Sequence, residues 1–142
     1  MSKTAQFKEG NLYRRSDIHA RYGGQHRYGT STPARWPLIF IFRSEGGDQH
    51  GYTDGWHADG TYHITGAGQH GDMQMTAGNR AIRDHAADGK EIHLFDHATG
   101  EPGLVRYVGQ MRYAGHEIKP VDALGRRRQT IVFKLARVQE AA

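Results

Sequence analysis

Residues able to do chemistry crowd into one stretch, Gly51 to Met75 (GYTDGWHADGTYHITGAGQHGDMQM). Two large aromatics, Tyr52 and Trp56, bracket a carboxylate, Asp54, and Asp-Gly and Gly-x-Gly turns surround a short strand expected at Thr61–Thr65. Glycine lets a ligand approach backbone N–H and C=O groups closely. Aromatic faces stack on flat rings, and one carboxylate accepts a hydrogen bond. Together these suit a pocket for a flat, polar heterocycle. Each residue also has an ordinary structural use. Tyr52 and Trp56 can be core residues, Asp54 and Asp59 turn formers, and Gly66, Gly68 and Gly71 plain turns.

Other chemistries find less support. Ten histidines invite a metal, and His57, Asp59 and His63 lie close in sequence. They lack a helical H-x-x-x-H spacing or any motif of known ligand geometry, so no metal or cofactor is expected. Asp84-His85 resembles half of a catalytic pair with nothing nucleophilic beside it. There is no cysteine, which excludes disulfides and thiolate sites. The chain by itself is read as a non-enzyme.

The elements that would position the pocket follow from pattern. Pro37–Arg43 is a nearly continuous apolar run of strand length and reads as a central strand. Ser16 can cap a helix over Asp17–Tyr22 that Gly23-Gly24 ends. Gly23–Pro33 reads as a polar loop with Gln25, His26, Arg27 and Tyr28 at its tip. Thr76 can cap a helix reaching Ala87, with Ala81, Ile82 and Ala86 buried and Asn79, Arg80 and Arg83 on the polar side or near its start. Glu91–Asp96 alternates as a strand, Ile92 and Leu94 opposing His93 and Phe95. Leu104–Tyr113 is a long strand with a bulge or bend at Gly109, Gly125–Arg128 a basic turn, and Thr130–Val138 a closing strand. The sum is an α+β fold: a strongly curved sheet of five to seven strands with two helices.

A chain of 142 residues is sized for one domain, expected over 13–142 behind a loose lead-in at 1–12. The polar start and the lack of a long apolar run suggest a soluble, cytoplasmic (bacterial) protein. Charge is segregated. Residues 1–43 carry a net +6, 44–103 a net −7 and 104–142 a net +5. Fourteen of the 19 basic residues are Arg, whose planar fork suits phosphate. Basic ends around an acidic middle suggest an anionic partner, against the plainer reading of a solvated surface.

Three segments together resemble the SET- and RING-associated (SRA) domain, a reader of modified cytosine in DNA. They are Gly51-Tyr52-Thr53-Asp54 with Tyr62-His63-Ile64-Thr65-Gly66-Ala67-Gly68; Gly78-Asn79-Arg80-Ala81-Ile82; and Val105–Met111 with Ile131–Arg137. Their order holds over residues 12–138. Arg15–Gln25 and Gly71-Asp72-Met73 look like the bacterial branch fused to HNH nucleases in modification-dependent restriction enzymes. The resemblance implies a PUA-like curved sheet or partial barrel. It also implies binding of double-stranded DNA and base flipping of 5-methylcytosine or 5-hydroxymethylcytosine into a pocket. On that reading Tyr52 stacks on the base, Asp54 accepts from its amino group, and amides of Thr65 to Gly68 donate to ring acceptors. Ile64 stands where the family often has a second aromatic. Either Trp56 supplies that face or Ile64 widens the pocket. Asp54 is directly followed by Gly55 rather than by more acids, so Asp54 or a neighbour reads the base edge.

DNA contacts are expected from Arg15, Arg21, Gln25, His26, Arg27, Tyr28, Ser31, Asn79, Arg80, Arg126, Arg127 and Arg128, with the Gln25–Tyr28 loop probing the duplex. Asn79 can equally brace the pocket loop. Two alternatives stay open: a small enzyme acting on a flipped base, and an interaction domain of the same fold without a pocket.

Overall fold

The computed structural model describes residues 6–26, 29–43, 54–68, 71–121 and 125–138. In chain order these form β1 (Leu12–Arg14), α1 (Arg15–Tyr22), β2 (Thr30–Ser31), β3 (Leu38–Phe42), β4 (Gly55–Trp56) and β5 (Tyr62–Thr65). Then come α2 (Ala77–Arg83), β6 (Glu91–His97), β7 (Leu104–Val121) and β8 (Arg127–Arg137). The eight strands share one sheet in the order β2-β3-β6-β7-β8-β5-β4, with β1 against β7. Among the described strands only β3 and β6 pair in parallel. The α+β class and the two helices among the described residues agree with the sequence reading.

The apolar run of β3 is buried along its whole length because both of its faces are covered. Alternation at period two sends Leu38, Phe40 and Phe42 into a cluster with Ile18 and Tyr22 of α1, Phe95, Val105 and Tyr107. Ile39 and Ile41 join Ile64, Ile82, Ile92, Leu94, Met111 and Phe133 on the other side. Burying each such aromatic or branched side chain contributes about 1.5–3 kcal/mol.

Curvature comes from β7. Its first residues pair with β1 and β6, and from Met111 onward it pairs with β8. Val108 bulges out, since Leu94 pairs with Gly109 and Phe95 with Tyr107. Two further register shifts against β8 fall at Tyr113/Gly115 and Lys119/Val121. Bulges add twist and bend, so one long strand serves both halves of a curved sheet.

Several local expectations are corrected by tertiary contacts. Phe7 packs edge-on against Tyr13 and Phe95, and the Gly10 amide donates to Tyr107 O at 2.9 Å, so the described part of the lead-in is folded. Helix α1 starts at Arg15 without a side-chain cap, and Ser16 lies inside it. The Arg15 amide instead donates to Gly103 O at 2.8 Å. Helix α2 ends at Arg83 rather than Ala87. There, His85 Nδ1 meets Lys90 O at 2.9 Å and the Tyr113 amide donates to His85 Nε2 at 3.0 Å, drawing the chain out of the helix. Ala86 is accordingly exposed. Arg127 and Arg128, read as a turn, belong to β8. Among the described residues no helix is long and apolar enough to cross a membrane.

Two buried histidines should make the fold acid-sensitive. Burial lowers His93 below its ordinary value, opposed by a hydrogen bond to Glu91, and burial likewise lowers His19. His93 lies 2.7 Å from the Tyr107 hydroxyl and 3.0 Å from Glu91 Oε1. His19 Nε2 accepts from Arg15 Nε at 3.0 Å, a contact its protonation would break. With folded values below the ordinary histidine value of about 6.5, the unfolded chain binds protons first as pH falls. This stabilisation is complete above that value and lost as pH falls through the lower folded values. Urea midpoints measured from pH 8 to 5 should therefore drop below about pH 6.5, and His93→Gln should flatten that drop. A midpoint constant over this range would refute the assignment.

Candidate nucleic-acid interface

Asp54 stands where the chain enters β4, which pairs with β5 through Gly55–His63 and Trp56–Tyr62. Thr65 closes β5 and donates from Oγ1 to Asp54 Oδ1 at 2.9 Å. A carboxylate and a hydroxyl, eleven residues apart, thus form one polar corner that is half-buried.

Behind this corner lies a network the sequence did not announce. Arg43, just past the end of β3, has a side chain only 7% exposed. It donates from Nη1 to Asp96 Oδ1 at 2.8 Å and from Nη2 to the Asp54 carbonyl at 3.3 Å. The Tyr62 hydroxyl donates to Asp96 Oδ2 at 3.4 Å. Burial pushes that phenol well above its usual range, helped by the Asp96 carboxylate, so it remains a donor. Parallel pairing aligns Phe42 with Phe95, which places the following residues, Arg43 and Asp96, at the same sheet end. The available sequence signal was only a charge directly after each of two apolar runs, Leu38–Phe42 and Leu94-Phe95.

The loop after Thr65 is braced from two sides. Asn79 is buried; its Oδ1 accepts from the Ala67 amide at 2.8 Å, and its Nδ2 donates to Ala67 O at 3.0 Å and Gln74 O at 2.9 Å. This places Asn79 on the buried side of α2, as a brace of the loop. Arg128 is also buried and donates from Nη1 to Gly68 O at 2.8 Å and Gly71 O at 3.0 Å. At Gly66 a Cβ would stand 3.0 Å from Asn79 Oδ1 and 3.2 Å from Ile131 O. Gly68 adopts φ +134°, a region side chains disfavour. Two amides expected to meet a ligand are already engaged: Gly66 with Ile131 O at 2.7 Å and Ala67 with Asn79.

The remaining expected residues are distributed as follows. Ile64 is buried in the core. Trp56 is 47% exposed, edge-on to Tyr62 at 5.3 Å and 4.9 Å beneath the Arg137 guanidinium. Arg15 is half-buried with its guanidinium 4.1 Å over the Phe42 ring. Ser31 is wholly enclosed in β2 opposite Phe40 and presents no surface to a groove. Gln25 donates to Thr30 O at 2.6 Å, and the exposed His26 ring lies 4.0 Å from that of His19. Arg21, Arg80, Arg126 and Arg127 are exposed. Tyr52, Arg27 and Tyr28 lie outside the described residues. His57 and His63 stack at 3.6 Å, and among the described residues no group of three His, Cys, Asp or Glu could hold a metal.

No curated protein matches the sequence. Solved structures do. The ScoMcrA sulfur-binding and SRA domains complexed with phosphorothioated DNA are similar at 22% identity and TM-score 0.69, over 95% of this chain and 41% of that one. The Type IV phosphorothioation-dependent restriction endonuclease ScoMcrA is similar at 22% identity and TM-score 0.72, over 95% and 29%. The SUVH5 SRA domain in complex with hemi-methylated CG DNA is similar at 16% identity and TM-score 0.69, over 100% and 97%. The chain thus spans less than half of the two ScoMcrA chains and nearly all of the SUVH5 one. These likenesses concern the fold. With its residues 9–142 matching the family profile, the chain belongs to the ScoMcrA-like SRA domain family.

Proposed function

We propose that this domain reads a modified cytosine in double-stranded DNA, taking the base out of the stack and holding its amino edge at the Asp54–Thr65 corner. The observation that carries this reading is the Thr65 hydroxyl bound to Asp54 Oδ1. It orients a carboxylate in a half-buried corner, beside a glycine loop that Asn79 and Arg128 brace. A flipped base costs a few kcal/mol of unstacking, and a pre-built pocket offsets that cost. Tyr52 is proposed as the stacking face, Trp56 as the rim, and the exposed Arg21, Arg80, Arg126 and Arg127 as phosphate contacts. The structural relatives support the class of partner: ScoMcrA domains are seen with phosphorothioated DNA and the SUVH5 SRA domain with hemi-methylated DNA. The biological setting proposed is the reader module of a modification-dependent restriction system, with an HNH nuclease domain in the full-length protein supplying cleavage.

The test is titration against duplexes identical except for cytosine, 5-methylcytosine, 5-hydroxymethylcytosine or a phosphorothioate linkage. One methyl group is worth about 1–3 kcal/mol of discrimination, or roughly 10–200-fold. Asp54→Ala should cost about 1–3 kcal/mol on the preferred duplex, because a buried amino group loses its acceptor. Equal wild-type affinity for every cytosine form, unchanged by Asp54→Ala, would sink the reading. A preference for the phosphorothioate alone would replace the base with the backbone as the mark.

A further inference from the structure

The hairpin of β7 and β8 continues past the pocket loop, and its far end combines two chemistries. Ile118 and Val121 are exposed at 49% and 42%, although branched apolar residues are usually covered. In the register they oppose Ile131 and Arg127. Ile118 and Pro120 line a shallow depression of about 420 Å³, whose lining also includes Lys119, Arg127 and, from the pocket loop, Asp72. Lys119 and Arg127 are exposed.

We propose that this hairpin end extends the DNA-contacting surface beyond Arg127 to Ile118, Lys119 and Val121 and seats the sugar–phosphate backbone beside the target nucleotide; the inference rests on the DNA binding proposed above. An apolar floor with cations beside it matches deoxyribose and phosphate, which alternate along one strand. Phosphate needs charge without base identity, and Lys119 and Arg127 supply it. The depression is too small and too cationic for the apolar core of a protein interface. It is also mechanically part of the pocket. The Gln129 amide donates to Asp72 Oδ1 at 2.6 Å, the Met73 amide donates to Gln129 O at 2.8 Å, and Arg128 holds Gly68 and Gly71. A duplex whose base reaches Thr65 therefore passes beside this end. The Asp72 carboxylate repels phosphate from its own side, which places the backbone toward Lys119 and Arg127.

Two double variants test it: Lys119→Gln with Arg127→Gln, and Ile118→Ser with Val121→Ser. The charge variant should lower the slope of log affinity against log salt by about 2, at roughly 0.9 per phosphate. It should weaken modified and unmodified duplexes by the same factor, leaving discrimination intact. The apolar variant should lose roughly threefold to tenfold in affinity with the slope unchanged. Hydroxyl-radical footprinting of the wild type should show protected sugars on one flank of the modified base, a readout independent of any variant's folding. Wild-type slope and affinity in both variants, or no flank protection, overturns the hairpin proposal. A wild type that ignores base modification but keeps these hairpin effects overturns only the base reading, and a wild type that binds no DNA overturns both.

Discussion

Asn79→Ala should destabilise the domain by about 2–4 kcal/mol, because three backbone groups lose their partner at once. The amide of Ala67 and the carbonyls of Ala67 and Gln74 all meet this one side chain. Alanine fills neither role and leaves all three without a protein partner, at about 1–3 kcal/mol for a group that stays unsatisfied. For a domain of this length the thermal midpoint should fall by on the order of 10 °C. Asn79→Asp keeps an acceptor for the Ala67 amide but loses both donors, so it should not rescue. Chemical denaturation of the three proteins settles the matter; a loss below about 0.5 kcal/mol, the size of an ordinary surface change, would mean that the loop carries itself. At temperatures where the variant stays folded, affinity for modified DNA should still drop, since a loosened Thr65–Gly71 loop must be ordered on binding.

Arg43→Met ranks second. It removes a cation from a nearly closed site, leaving Asp96 without its ion pair and the Asp54 carbonyl without that donor. Breaking a fully buried pair costs about 3–5 kcal/mol; Asp96 is 30% exposed, and water there reduces the expected loss to about 2–3 kcal/mol. Arg43→Lys should recover part of the stability by restoring the charge, and less of the binding, since lysine lacks the fork that reaches two acceptors. The distinguishing measurement is the affinity ratio between modified and unmodified duplexes. If Arg43 holds Asp54 in place, that ratio falls in both variants, whereas a purely structural pair leaves it unchanged in the folded fraction.

What the sequence by itself determined is what depends on short-range pattern. The apolar run Leu38–Phe42 had to be a covered strand, and Ile131, Phe133 and Leu135 had to share one face, since alternation acts over a few residues. The irregularity at Gly109 was legible because a glycine inside a strand marks a break in pairing. The ordered family motifs brought the α+β class and the candidate corner into view. Charge segregation pointed to an anion.

The partners of particular side chains were decided only by the tertiary structure, because the groups that meet are distant in the chain. Arg43 and Asp96 are brought together by a parallel pairing that no local pattern encodes. Arg128 read as one more surface cation in a basic run, yet β8 turns it inward onto two loop carbonyls. Asn79 stayed open between a polar-side position and a brace for the pocket loop; two backbone groups of one loop residue and a third nearby bury it as the brace. Ser31 and the loop ahead of it read as polar surface until two residues paired with β3. For Arg43, Arg128 and Asn79, hydrogen bonds set by the fold outweighed a local preference, since an unmet polar group inside the fold costs more than propensity gains.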